Sequence, residues 1–286
     1  MGKLLRVGIT LLVVVIAVVA GSWVWNHYLY SPWTRDGRIR ADVITIAPDV
    51  SGWVMQVSVK NNQAVNQGDP LFTIDDTRYQ AVLAKARAKV AEKHSALELA
   101  SHSYQSLKGI SDTRAINEED LETYRINRES ARASHELAMA ELEMARIDLE
   151  RTQVVAPADG TINNLHLRQG NYVNKGTAVL SQVKADSFYV TGYFEETKLQ
   201  LVQAGQPARM TLMGGDRKLT GTVVSIARGV ADINTSSNDQ MLPQVQQAFN
   251  WVRLAQRIPV DIALDPVPED IHLSAGMTVS IYLDSE

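Results

Sequence analysis

Cysteine is missing from all 286 residues, which excludes disulfides, thiolate metal sites and a lipid-modified N-terminal cysteine. A strong excess of either charge is missing too. With 28 Lys plus Arg against 32 Asp plus Glu, the net charge of −4 leaves no electrostatic footprint for nucleic acid. The six histidines, His27, His94, His102, His135, His166 and His272, form no H-E-x-x-H or comparable spacing, so no metal is expected. There is no G-x-S-x-G elbow, and Lys175-Gly176-Thr177 carries its glycine and lysine in the wrong order for a phosphate loop. Neither catalysis nor a cofactor is expected.

Proline is absent between Pro70 and Pro157, and Gly109 is the only glycine from Thr73 to Val155. Helix fills such a gap. Leu83, Ala86, Val90, Lys93, Leu97, Ala100, Tyr104 and Leu107 keep a 3-4 spacing, and so do Leu121, Tyr124, Arg128, Ala131, His135, Ala138, Leu142, Ala145 and Leu149. Asn117 followed by Glu118, Glu119 and Asp120 supplies an N-cap and an acidic first turn, so the chain is expected to reverse between Gly109 and Asn117. Two arms of about thirty residues make an antiparallel coiled-coil hairpin on the order of 45 Å long. Lys93, Arg128 and His135 on the seam either snorkel past the partner helix or face a neighbouring subunit.

The segments flanking this gap are copies of each other. A shift of 108 positions lays Gly52 on Gly160, Val65 on Val173, Asn66 on Asn174 and Gly68 on Gly176, and the apolar positions follow, Val54 on Ile162 and Leu71 on Val179. The alternation of apolar residues fits short strands with one buried face, and Gly68-Asp69 and Gly176-Thr177 read as tight turns. One copy alone exposes an unmatched apolar face. The two are therefore expected to close on each other as one β-sandwich.

At the N-terminus, Val7 to Trp25 holds no charged residue, long enough to span a bilayer. Lys3 and Arg6 precede it, which by the positive-inside rule puts the N-terminus in the cytoplasm and the bulk of the chain outside. Trp23, Trp25, Tyr28, Tyr30 and Trp33 crowd its exit as an aromatic belt would. The competing reading is a signal peptide cleaved before Gly21.

After the second copy, Ser187 to Phe194 reads as a strand and Glu195 opens a short helix ending before Gly205. Further strands are marked by Ala208, Met210 and Leu212, by Leu219, Val223 and Ile226, by Val260, Ile262 and Leu264, and by Val279, Ile281 and Leu283, the pattern of a small β-barrel. A polar stretch from Gly229 to Gln244 reads as a long loop. The fold class is thus mixed α and β, multidomain. Its expected parts are an N-terminus and anchor at 1–30, half-motifs at 41–76 and 154–185, a hairpin at 77–153, and a barrel at 186–286 that takes a strand from the N-terminal region.

The half-motifs resemble the lipoyl or biotinyl carrier fold, but the hairpin that carries the modified lysine there is replaced by the helices, and no Met-Lys-Met or Asp-Lys-Ala occurs between the copies. Together with "FYVTGYFEETKLQLVQAGQPARMTL", the anchor and the helical insert, the chain resembles periplasmic adaptors of the membrane fusion protein family, the HlyD and EmrA branch in particular. "FNWVRLAQRIPVDI" at Phe249 to Ile262 is similar to adaptors of aromatic carboxylic acid exporters. This resemblance implies a homo-oligomer, trimer or hexamer, held in the inner membrane. It would join an inner-membrane transporter to a TolC-like outer-membrane channel for efflux of small molecules, aromatic acids or drugs. Adaptors for polypeptide secretion are the alternative, and a carrier domain a more distant one. Such hairpins usually carry Arg, Leu and Ser at the tip. Leu107 matches, Ser103 stands where Arg is expected, Asn117 lies near the Ser position, and Arg114 is the replacement charge. The tip contact residues implied are Leu107, Ile110, Arg114 and Asn117.

Overall fold

The computed structural model describes residues 2–30, 32–111, 118–215, 217–230, 255–268 and 271–284. Contacts divide it into two units, Val43–Ala185 and a second made of Met1–Asp42 with Asp186–Glu286.

In the first unit, two four-stranded sheets face each other. One has the order β2 (Val43–Ile46), β9 (Leu180–Lys184), β7 (Gly160–Asn163), β4 (Ala64–Val65). The other runs β6 (Gln153–Val155), β5 (Pro70–Ile74), β3 (Gly52–Val57), β8 (Tyr172–Val173). The 108-residue shift turns each sheet into the other. Gly52 lies opposite Val173 and Val65 opposite Gly160; Val54 faces Ile74 and Ile162 faces Gln182; Phe72 faces Val154 and Leu180 faces Ile46. Turn hydrogen bonds repeat as well: Gly68 N–H donates to the Ala156 carbonyl at 2.8 Å, and Gly176 N–H to the Pro48 carbonyl at 2.9 Å. Each sheet thus contains strands of both copies. That interleaving is why neither copy can bury its own apolar face: the shared core draws Val54, Leu71, Phe72 and Ile74 from the first and Ala156, Ile162, Leu167 and Leu180 from the second. Gly68 and Gly176 sit at φ of 88° and 76°, a conformation an L side chain resists, which explains glycine at both turns.

The helices α2 (Thr77–Ser111) and α3 (Glu118–Glu150) pack side by side between β5 and β6. They run antiparallel, since Lys89 near the start of α2 meets Glu141 late in α3, while Tyr104 meets Arg128. Helix α2 continues through Gly109 to Ser111 and α3 begins at Glu118, so the chain reverses within the expected span. One glycine costs a helix only about 1 kcal/mol, which a helix of this length absorbs. The seam positions of α2 are its less exposed ones, and Ala138 and Ala145 of α3 are buried at 1% and 4% exposure. Small residues there let the helices approach closely. Asp75 accepts the Thr77 N–H at 3.0 Å, giving the first turn of α2 a side-chain acceptor.

The second unit holds a closed six-stranded barrel in the order β1 (Trp33–Arg40), β10 (Tyr189–Glu195), β13 (Arg257–Leu264), β12 (Lys218–Ile226), β11 (Pro207–Leu212), β14 (Thr278–Leu283). Closure leaves no sheet edge unpaired. Ile39, Val190, Phe194, Met210, Val223, Ile262 and Ile281 fill it. The short helix expected after Glu195 is a 3-10 helix, Glu196–Leu201. Helix α1 covers Gly2–Tyr30, and its described side chains, from Gly8 to Ser22, are exposed. Among the described residues no helix is long and apolar enough to cross a membrane. The Gly229–Gln244 stretch lies outside the described residues from position 231 onward.

Candidate interaction surfaces

Of the four tip residues, Leu107 is half-buried on α2 and Ile110 belongs to its last turn, while Arg114 and Asn117 lie outside the described residues. The three polar seam residues each find a partner. Arg128 lays its guanidinium 4.5 Å from the centre of the Tyr104 ring, across the seam, and bonds Glu129 at 2.6 Å. His135 meets His94 edge to face, with ring centres 5.4 Å apart. Lys93 Nζ donates to Glu92 at 2.9 Å. Snorkelling accounts for Lys93, whereas Arg128 and His135 stay within the helix pair.

Carboxylates along the hairpin are held ionised by neighbours. Hydrogen bonds from Arg125 to Glu122, from Arg128 to Glu129 and from Lys93 to Glu92 lower each pKa from the ordinary 4.5. These pairs lie on the surface, where their contribution to stability is small. Among the described residues, no cluster of His, Asp or Glu could hold a metal ion.

One surface has no counterpart in the internal duplication. Trp53 and Tyr172 face each other across β3 and β8 with ring centres 5.2 Å apart, yet they are 56% and 52% exposed, and Met55 two residues on is 53% exposed. The equivalent positions of the other sheet are Thr161, Ala64 and Asn163. The duplicated fold therefore does not need aromatics there. The 108-residue alignment carries this signal in Trp53 against Thr161, and the sequence reading passed over it.

A second overlooked feature lies at the start of the barrel. Trp33, expected in an aromatic belt, opens β1 and stacks on Tyr282, with ring centres 6.2 Å apart. Arg35 and Lys198 both lie against its indole, at 5.4 Å and 4.9 Å. Arg257 and Asp36 form an ion pair beside them. At another part of the barrel, Leu212, Met213, Arg217, Ile271, His272 and Met277 line an open hollow of about 430 Å³.

Residues 42–183 match the family model described as "RND MFP, barrel-sandwich hybrid domain", and residues 187–284 match "AAEA-like beta-barrel domain". The chain is 42% identical over 272 residues to the uncharacterized protein YdhJ of Escherichia coli (strain K12), an alignment covering 95% of each. Among solved structures, the membrane fusion protein Spr0693 from Streptococcus pneumoniae R6 is similar at 17% identity with a TM-score of 0.64, covering 88% of this chain and 98% of that one. A chimera of MacA carrying the α-hairpin domain of Pseudomonas aeruginosa MexA is similar at 20% identity with a TM-score of 0.62, covering 90% and 83%. At such identities the likeness concerns the fold alone.

Proposed function

Since the chain belongs to the membrane fusion protein family, we propose that it is a non-catalytic periplasmic adaptor, held by α1 in the inner membrane with its N-terminus in the cytoplasm. It would assemble as a trimer or hexamer and link an inner-membrane transporter to an outer-membrane TolC-like channel, for export of small molecules such as aromatic acids or drugs. The observation that carries this reading is the insertion itself. Two helices of 35 and 33 residues leave and re-enter one sandwich through neighbouring strands, β5 and β6, which places a spacer of about 50 Å on a rigid base. The apolar, exposed stretch Gly8–Ser22 supports the anchor.

The experiment is site-specific photocrosslinking in cells from Leu107 and Ile110 at the tip, with Val82 near the base of α2 as the control. A crosslink to an outer-membrane protein from the tip and not from Val82 is expected. Crosslinks from Val82 alone would overturn the channel-linking role. An alkaline phosphatase fusion after Glu286 should be active, and an inactive fusion would reverse the orientation.

A further inference from the structure

We propose that the hollow at the start of the barrel seats the phosphate of an anionic phospholipid, a site that rests on the reading of α1 as a membrane anchor. The hollow has a volume of about 270 Å³, and Trp33, Arg35, Asp36, Glu195, Lys198 and Arg257 line it. Three cations meet two carboxylates, so the balance is positive. The carboxylates are also unevenly engaged. Asp36 is taken up by Arg257 in a close pair, whereas Glu195 stands 3.7 Å from Lys198 Nζ, beyond hydrogen-bonding distance. Among the described residues Arg35 has no carboxylate partner.

Lys198 is the unusual member. Its side chain is only 14% exposed, yet its ammonium has an indole face and a loose ion pair instead of a direct carboxylate hydrogen bond. Burial of an ammonium is costly unless its donors are used. Arg35 approaches the same indole, so two like charges converge on one aromatic ring. An anion in the hollow that both line offsets that like charge and can accept from their donors. A phosphodiester suits the pair, offering two non-bridging oxygens that share one negative charge to a guanidinium fork and an ammonium.

Position selects the source of the phosphate. Trp33 follows the last residue of α1, Tyr30, by three positions, a reach of at most about 11 Å. The 3-10 helix that bears Lys198 touches α1. Along α1, Ile9, Leu12, Val15, Ile16 and Val19 are all more than half exposed. Acyl chains lying on that apolar surface bring their headgroup to the end of the helix, three residues before Trp33 in the lining of the hollow. Tryptophan favours the polar boundary of a bilayer, and basic groups close to its surface attract anionic headgroups.

The test uses the full chain with phosphatidylcholine vesicles, alone or mixed with phosphatidylglycerol. Co-flotation with phosphatidylcholine alone reads the anchor, and native mass spectrometry of protein released from the mixture reads retained lipid. The wild type should float on both and retain phosphatidylglycerol in preference to phosphatidylcholine. The Arg35→Gln, Lys198→Gln double variant should still float but lose that preference roughly twenty-five-fold, about fivefold for each juxtamembrane cation. Arg35 is exposed, so Arg35→Gln alone keeps the barrel folded and should lose about fivefold. Flotation without lipid preference, or a preference that survives the double variant, overturns the site and leaves the anchor standing. Failure to float on phosphatidylcholine overturns the anchor and the site with it. Displacement of phosphatidylglycerol by inorganic phosphate at comparable concentration would make the ligand a soluble phosphate and overturn the lipid assignment.

Discussion

Gly160 sits so close to Val183 that a β-carbon on residue 160 would overlap the carbonyl oxygen of residue 183 and stand 3.0 Å from its carbon. The duplicate position, Gly52, is crowded differently, with the Ile74 side-chain methyl Cγ2 at 2.6 Å. The Ile74 methyl branches from Cβ of a buried side chain and gives way only as that side chain shifts, yet a paired strand backbone gives way less. Gly160→Ala is therefore expected to cost about 3 kcal/mol and Gly52→Ala about 1 kcal/mol. Urea unfolding of the two variants checks the order, and equal losses would contradict it.

Gln182 breaks the duplication inside the core. Its counterpart is Ile74; its own side chain is fully buried, Nε2 donates to the Ala158 carbonyl at 2.5 Å, and Oε1 has no partner among the described residues. Replacing it with leucine removes an unsatisfied acceptor, and the partly exposed Ala158 can turn to water. Gln182→Leu should be neutral or stabilising by up to about 1 kcal/mol. Gln182→Glu buries a carboxyl whose folded-state pKa is raised, so its cost should be absent at low pH. That cost should then grow as pH rises from the unfolded-state value to the folded one, reaching about 3 kcal/mol. Thermal melts across pH separate the two variants.

In the hairpin, Ala138 and Ala145 mark the tightest packing. Ala138→Leu should push the helices apart at a cost of about 2 kcal/mol, whereas a leucine at exposed Ala140 should change little. Helical circular dichroism on heating measures both. Equal melting would mean that the helices are not held by this seam.

The hairpin should also weaken in acid. Glu92, Glu122 and Glu129 have folded-state pKa values below 4.5, so their contribution is complete above that value and is lost as pH falls through the lowered values. The effect is small because all three are on the surface. Glu122→Gln with Glu129→Gln should flatten the pH dependence of helix melting between neutral and acid. A slope unchanged by the double variant would assign acid sensitivity elsewhere.

Much of this architecture was legible because the duplication left identities at a fixed offset: Gly52 with Gly160, and Gly68 with Gly176, are held by close approach or positive φ, constraints that act on one residue at a time. The helices were legible from the spacing of Leu83 through Leu107. What periodicity hides is pairing across the chain. Nothing local says that Trp33 will meet Lys198, or that Arg128 will rest on Tyr104, because these contacts depend on barrel closure and helix register. Gly109 marks the end of α2 to within two residues, since one glycine alone costs a helix too little to stop it at that position. The exposed Trp53 and Tyr172 became conspicuous only once the two sheets were superposed.

The interleaved sandwich also sets an order of events as the chain emerges into the compartment where it folds. Strand β3 ends at Val57, but the strand β8 that must lie beside it begins at Tyr172. At roughly 5–20 residues per second the first half waits on the order of ten seconds for its partner, with Val54, Leu71 and Phe72 uncovered. Helices α2 and α3 are made in that interval and pair locally, a fast event beside strand pairing. Their closure draws Thr152 to Ile74, whose N–H donates to its carbonyl at 2.9 Å, so the late half arrives already beside the early one. The spacer would thus guide folding as the chain emerges, and lesions in its seam should appear first as proteolysis of the newly made chain rather than as a weaker finished protein.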